Sequence, residues 1–323
     1  MKKIILRITS AVVISSFGIA VFSCGSGSNT ESSGDKLEGT LTISGAFALY
    51  PLAVKWGEEF KKKHPNVEFN ISAGGAGKGI ADALGGLADI AMVSRDLKDA
   101  EKEKGGYPIA VTKDAVVPTI NSNNPNANEI LQKGLSKEAF IKLFLENSVS
   151  DWRNLGFSQS SQVHVYTRSD AAGAAESWAK YLGKKQEDLK GVGVFGDPGL
   201  LQAVMKDASG VGYNNIGYAY NIKTKQPLQG VTVVPIDVNG NGVVDADEKV
   251  YGHLDTLLNA INTGKFPSPP ARDLFLMTKG KSTNPVVIEF IKWVLTEGQQ
   301  YVTSSGYVTF PKEKLEEELK KLK

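Results

Sequence analysis

A two-lobed α/β fold, each lobe carrying a mainly parallel sheet with flanking helices, is predicted by three observations. Short apolar runs alternate with amphipathic helical patterns, three of these runs end in small-residue turns that open helices, and two extended apolar segments are placed to cross between lobes. At 323 residues the chain exceeds the usual size of one hydrophobic core. Apolar content of 41% and charged content of 22% exclude global disorder.

The first 24 residues stand apart. Lys2, Lys3 and Arg7 precede an apolar stretch from Ile8 to Phe22 that ends at Ser23-Cys24, the pattern of a secretory signal peptide with a lipoprotein-type end. Cleavage after residues 1–23 leaves Cys24 as a lipidated N-terminal residue. It is the only cysteine, so the mature chain forms no internal disulfide. Losing Lys2, Lys3 and Arg7 takes the formal net charge from +2 to −1, and no basic nucleic-acid footprint remains. Residues 24–37 are rich in Gly, Ser, Asn and Thr and read as a flexible tether with a reach of roughly 20 Å. The expected location is extracytoplasmic, membrane-anchored through the lipid, in the periplasm or on the cell surface.

In the folded body, the strand-like Gly39–Ile43 runs through the turn Ser44–Pro51 into a helix with Leu52, Trp56 and Phe60 at fourfold spacing. Val67–Ile71 repeats the arrangement, with the turn Ser72–Gly79 and a helix over Ile80–Leu87, and Asp89–Ser94 is a third strand. Asp114–Ile120 is an apolar run interrupted by Pro118 and followed by turn-rich Asn121–Asn128, which marks a first crossing. The second body takes a helical region at Ser136–Leu145, a strand at Val163–Thr167, helices at Gly173–Leu182 and Pro198–Lys206, and extended segments at Val192–Phe195 and Gly212–Tyr220. Val231–Ile236 is the expected return crossing. After it come an amphipathic helix with Leu254, Leu257, Leu258 and Ile261, a strand Asp273–Met277, a helix with Val287, Phe290, Ile291, Val294 and Leu295 on one face, and a charged terminal helix over Leu315–Leu322. Residues 38–119 and 236–323 therefore form lobe I and residues 120–235 lobe II, with a cleft and a two-crossing hinge between them.

The candidate site centres on Tyr166–Trp178, where a strand delivers Arg168 into a small-residue turn opening a helix. A helix N-terminus leaves backbone N–H groups unpaired and carries partial positive charge, so small residues there let an oxyanion approach. Arg168 adds full charge and a planar fork, and Asp170 holds that fork from the side. Ala46, Phe47 and Ala48 in the first turn, Gly75, Ala76, Gly77 and Lys78 in the second, and Ala172, Gly173 and Ala174 in the third line one pocket if the turns converge.

Asp237–Glu248 matches the calcium-loop template: Asp237, Asn239 and Asn241 at positions one, three and five, Gly242 at the turn, then Val243, Asp245 and Glu248. Its upstream flank reads as strand, so a lone loop with structural Ca2+ is expected, not a paired EF-hand. Other chemistry is excluded. Gly75–Ile80 lacks the Gly-Lys-Ser/Thr order of a nucleotide loop, His64, His164 and His253 have no partner at metal-ligand spacing, and no Gly-x-Ser-x-Gly elbow is present.

The Ser44–Pro51 turn, Gly74–Ile80, Ala88–Arg95, Arg168–Glu176 and Gly217–Tyr220, in this order, resemble the phosphate-binding proteins of ABC phosphate importers. The likeness spans residues 38–311. It implies a type II periplasmic-binding-protein fold and a monomeric, non-enzymatic receptor that hands phosphate to an ABC permease. Arg168, Asp170 and Gly173 carry over directly, and Ser94-Arg95 matches a Ser-Arg variant of the family. The chain departs where the family has hydroxyl donors, carrying Ala46, Phe47 and Ala48, then Gly75-Ala76-Gly77, and Ala171 through Ala174. Each lost hydroxyl forfeits about 1 kcal/mol of hydrogen bonding. Backbone donors, Arg168 and Arg95 or Lys78 are expected to compensate, with Asp96 and Glu176 as acceptors for the proton of hydrogen phosphate. The alternatives are a receptor for sulfate, molybdate or tungstate, and a sensor or adaptor that keeps the fold without transport.

Cys24→Ser should release the chain from membranes, because the lipid attaches through the only thiol. Retention of that variant in the membrane fraction after carbonate washing would rule out the lipoprotein reading.

Overall fold

The computed structural model describes residues 37–323; the signal peptide, Cys24 and nearly all of the tether lie outside the described residues. Three strand–helix pairs come first: β1 (Gly39–Gly45) with α1 (Tyr50–Lys63), β2 (Val67–Ala73) with α2 (Ala76–Gly85), and β3 (Ile90–Val93) with the short α3 (Asp99–Glu103). The long β4 (Gly106–Asn121) follows, then α4 (Ala127–Lys133), β5 (Leu135–Ser136) and α5 (Lys137–Ile141). The middle of the chain holds β6 (His164–Arg168), α6 (Gly173–Tyr181), β7 (Val192–Val194), α7 (Gly196–Lys206), β8 (Gly210–Asn215), α8 (Ile216–Ala219), β9 (Val231–Val233) and β10 (Ile236–Asp237). The chain closes with α9 (Leu254–Asn262), β11 (Ala271–Lys279), α10 (Pro285–Leu295) and α11 (Lys312–Lys320).

The main sheet runs β2-β1-β3-β11-β4-β8-β6-β7, with β9 beside β4. Its flanks are parallel, as the strand–helix alternation requires. Its centre is antiparallel, because β4 and β11 carry the chain in opposite directions between the two flanks.

Two hydrophobic cores form along this sheet. The first buries Leu52, Trp56 and Phe60 of α1 with Val287, Phe290 and Ile291 of α10, and its Phe60 and Phe290 rings lie 5.3 Å apart. The second gathers Phe140, Phe144, Trp152, Trp178 and Tyr213, with Phe140 and Trp178 centroids 5.0 Å apart. Each buried large apolar side chain contributes about 1.5–3 kcal/mol, most of it offset by the entropy of ordering the chain.

The crossings fall elsewhere than the sequence suggests. In β4 the chain leaves the first core after Val111 and enters the second at Ala115, all within one uninterrupted strand. The return is not at Val231–Ile236. Ile236 begins β10, which pairs with β5 of the second half, and Leu254, Leu257, Leu258 and Ile261 of α9 are buried against the second core. The chain goes back only in β11, between Ala271 and Leu274. Residues 236–266, including the 237–248 loop, thus belong with the second core, not with lobe I as expected. An amphipathic helix declares that it has an apolar face, not which of two cores that face will cover.

Gly45 closes β1 with φ at +139°, and a Cβ there would sit on the carbonyl oxygen of Met92 in β3. Gly45→Ala should lower the thermal midpoint by roughly 4–10 °C, read by circular dichroism. An unchanged midpoint would show that β1 and β3 separate there without loss.

Candidate functional site

The three small-residue turns do converge. Ala46, Phe47 and Ala48 from the β1–α1 turn, Gly75 and Ala76 from the start of α2, and Ala172, Gly173 and Ala174 from the start of α6 line one narrow cleft with Ser94 and Arg168. No side chain caps the starts of α1, α2 or α6 from the N-cap position, but part of each start is already paired: Tyr50 N–H donates to Phe47 O, Pro51 has no N–H, Gly77 N–H donates to Ala171 O, and Ala172 N–H donates to Gln186 Oε1. The small residues are a steric requirement. A Cβ on Gly173 would collide with the Ser94 hydroxyl, one on Gly75 would lie 2.7 Å from Asp170 Oδ2, and one on Gly77 would lie 2.6 Å from Ala171 Cβ.

Arg168 is the cation of this cleft. It is 6% exposed, and Asp170 takes its Nε at 2.8 Å and its Nη2 at 2.5 Å in a two-pronged pair, as expected. Its third nitrogen, Nη1, donates at 2.5 Å to Asp197 at the start of α7. Asp197 is 1% exposed and lines the same cleft, as does Asn215 at the end of β8, whose N–H donates to Asp197 Oδ1 at 3.2 Å. Burial works to lower the Arg168 pKa, but Asp197 and Asp170 outweigh it and raise it. The guanidinium therefore stays charged although it is out of water.

Sequence reading missed Asp197 and Asn215. A signal was present for Asp197, since Val192–Val194 leading into α7 is a fourth strand-to-helix turn of the kind already identified. An Asp near a helix start reads equally well as an ordinary cap, however, and Asn215 carries no local signal at all.

Phe47 roofs the cleft. Its ring lies 5.3 Å from the Arg168 guanidinium carbon and meets Phe195 edge-on at 6.0 Å, while its carbonyl accepts from Tyr218 Oη at 3.3 Å. With the Gly77 N–H donating to Ala171 O at 3.0 Å, these contacts close the first half against the second.

Four of the expected residues lie elsewhere. Lys78, one turn into α2, is paired with Asp82 on the exposed face of its own helix. Arg95, Asp96 and Glu176 line a separate cavity of about 560 Å³ that also takes in Lys113, Lys180 and Arg272. There Glu101 grips Arg95 at 2.7 and 2.8 Å, and Asp96 faces Lys180 at 3.3 Å. Gly77 packs beside the cleft without lining it. For Lys78 and Glu176 the reason is directional: side chains one turn into a helix leave the axis sideways, and only the first-turn backbone points along it.

The 237–248 loop folds on its own donors. Asp237 accepts from the N–H groups of Gly240, Asn241 and Gly242, and Glu248 from those of Val238 and Asp245. Asn239 and Asn241 direct their amide nitrogens to Asp245. Among the described residues no three His, Cys, Asp or Glu side chains are drawn together for a metal ion.

Comparison with known proteins adds a lineage. A PBP superfamily domain matches residues 30–297. Among relatives, the phosphate-binding protein PstS of Staphylococcus haemolyticus is 26% identical over 296 residues, covering 89% of this chain and 86% of its own length. The phosphate-binding protein PstS of Pseudomonas aeruginosa is 27% identical over 317 residues, covering 88% of each. Among solved structures, a putative phosphate ABC transporter substrate-binding protein from Clostridium perfringens, with bound phosphate, superposes with a TM-score of 0.68 at 23% identity, covering 84% of this chain and all of that one.

Proposed function

The chain belongs to the PBP superfamily, and from that premise we propose that it is an extracytoplasmic solute-binding lipoprotein. In this reading it captures inorganic phosphate in the Arg168 cleft and delivers it to an ABC importer. One observation carries the reading: three small-residue strand-to-helix turns and a buried, carboxylate-held arginine share a single cleft between two cores. The relatives described as phosphate-binding proteins support phosphate as the anion.

The recognition chemistry follows from the charges. Arg168 is matched by two carboxylates, so Arg168, Asp170 and Asp197 together leave the cleft one negative charge, and bulk attraction does not draw an anion in. Binding rests on directed donors, namely backbone N–H groups of the three turns, the Ser94 hydroxyl and the Arg168 guanidinium, which the anion shares with Asp170 and Asp197. Alanines at 46, 48, 172 and 174 mean that backbone replaces hydroxyl as the donor class. Selection among tetrahedral anions then falls to an acceptor. Hydrogen phosphate offers a proton and sulfate does not, and Asp197 is the cleft carboxylate able to take that hydrogen bond; Asp96 and Glu176 face the other cavity.

Calorimetry should show phosphate bound at least roughly a hundredfold more tightly than sulfate, with Asp197→Asn narrowing the gap. Arg168→Ala should weaken phosphate by about 2–5 kcal/mol, since two buried carboxylates lose their partner. Tighter binding of sulfate, molybdate or tungstate would overturn the phosphate reading in favour of another oxyanion. Binding of none of them would leave the sensor or adaptor role.

We also propose that the 237–248 loop takes one structural Ca2+. Asp237 and Glu248 are only 3% and 8% exposed, and the loop offers oxygens of the hard type calcium prefers, which the ion would draw from their present N–H partners. Millimolar calcium should raise the melting midpoint of the wild type and not of Glu248→Gln. An equal response in both would exclude the site.

A further inference from the structure

β4 and β11 pass between the cores side by side, and a buried ion pair occupies the place where both cross. Asp114 on β4 lies between Val111 of the first core and Ala115 of the second, and Arg272 on β11 lies between Ala271 of the second and Leu274 of the first. The two are register partners across the antiparallel pair, with Arg272 Nε and Asp114 Oδ1 3.1 Å apart. Asp114 is 1% and Arg272 8% exposed.

Arg272 also reaches beyond its counter-ion. Its Nη1 donates to the carbonyl of Gly173 at 3.1 Å, and its Nη2 donates to Asn215 Oδ1. Gly173 and Asn215 both line the Arg168 cleft. Asn215 in turn donates to Asp197, and Asp197 accepts from Arg168. An unbroken buried polar chain therefore leads from the crossing strands to the cation of the cleft. The Gly173 contact has a second effect. In a planar trans peptide the carbonyl and the next N–H point in opposite directions, so fixing the Gly173 carbonyl toward Arg272 fixes the Ala174 N–H toward the cleft.

We propose that Arg272, with Asp114 as its counter-ion, is the positioning residue of the anion cleft. From the hinge it sets the start of α6 and the Asn215–Asp197 pair, so that the donors are aligned only when β4 and β11 hold their closed register. This rests on the reading of the Arg168 cleft as an anion site. Lysine cannot substitute, because a single ammonium does not span Asp114, Gly173 and Asn215 as the guanidinium fork does.

The pairing is sensitive to protonation. Burial pushes the Asp114 carboxyl up to about 7, with Arg272 opposing and the nearby Asp197 adding to the rise. Tyr307 also faces Asp114, and burial raises its phenol well above its ordinary value, so it stays neutral throughout this range. As pH falls through about 7 the counter-ion is neutralised and Arg272 loses the charge that orients it.

The test is calorimetry of the full chain against inorganic phosphate, with melting midpoints measured in parallel. Arg272→Lys should bind roughly tenfold more weakly with a midpoint near that of the wild type, because the charge beside Asp114 is retained and only the fork is lost. Asp114→Asn should bind roughly tenfold more weakly than wild type at about pH 8.5 and equally at about pH 5.5. The ratio of the two chains at each pH cancels the protonation of phosphate itself. Wild-type affinity in Arg272→Lys, or a ratio for Asp114→Asn that does not change with pH, would overturn the inference. Tighter binding by Asp114→Asn at high pH would also overturn it, since Asp114 would then act only through its negative field. A wild type that binds no oxyanion would instead sink the reading of the cleft itself, and this inference with it.

Discussion

A guanidinium that is 6% exposed cannot be left alone, and the pairing of Arg168 with Asp170 and Asp197 is the constraint around which the cleft is arranged. Asp170 comes from the loop between β6 and α6, and Asp197 from the start of α7, so holding one side chain fixes three elements of the second half at once. Asp170 also accepts from the Gly196 N–H at 3.0 Å, which ties the β7–α7 turn to the same point. The opposite half meets this assembly with Gly75, Ala76 and Ser94, and a Cβ on Gly75 would meet the Asp170 carboxylate and the Ala171 carbonyl.

Two cores and one continuous sheet place this cleft where movement between the halves acts on it. The sheet is parallel where strands lead into helices and antiparallel only where β4 and β11 join the halves. β4 and β11 pass from one core to the other within the main sheet, and the Asp114–Arg272 pair lies where they do so. Phe47 of the first half packs against Phe195 and over Arg168 of the second, so the aromatic roof and the cation belong to different halves.

Much of this was legible in the chain itself. Each small-residue turn follows a strand and precedes a helix, so Ala46–Ala48, Gly75–Ala76 and Ala172–Ala174 could be identified as strand-to-helix turns from local pattern alone, although α2 begins at Ala76 and not at Ile80. Arg168 and Asp170 stand two residues apart at a strand end, near enough for one to orient the other whatever the rest of the fold does. Secondary structure and first-turn backbone direction are short-range properties, set by sterics and hydrogen bonding within a few residues.

Only the tertiary structure decided the rest. Asp197 lies 29 positions from the arginine it grips, and Arg272 lies 57 from Asn215, 99 from Gly173 and 158 from Asp114. Lys78, Arg95, Asp96 and Glu176 sit within a few residues of the cleft in sequence but point away from it in space. The α9 helix had the same apolar stripe for either core and went to the second because β10 pairs with β5. The sequence by itself determined which segments can present backbone donors, since that depends on neighbours along the chain. Which charges gather round those donors depends on how helices and strands pack, and a side chain's burial partners are chosen by the shared core, not by position in the chain.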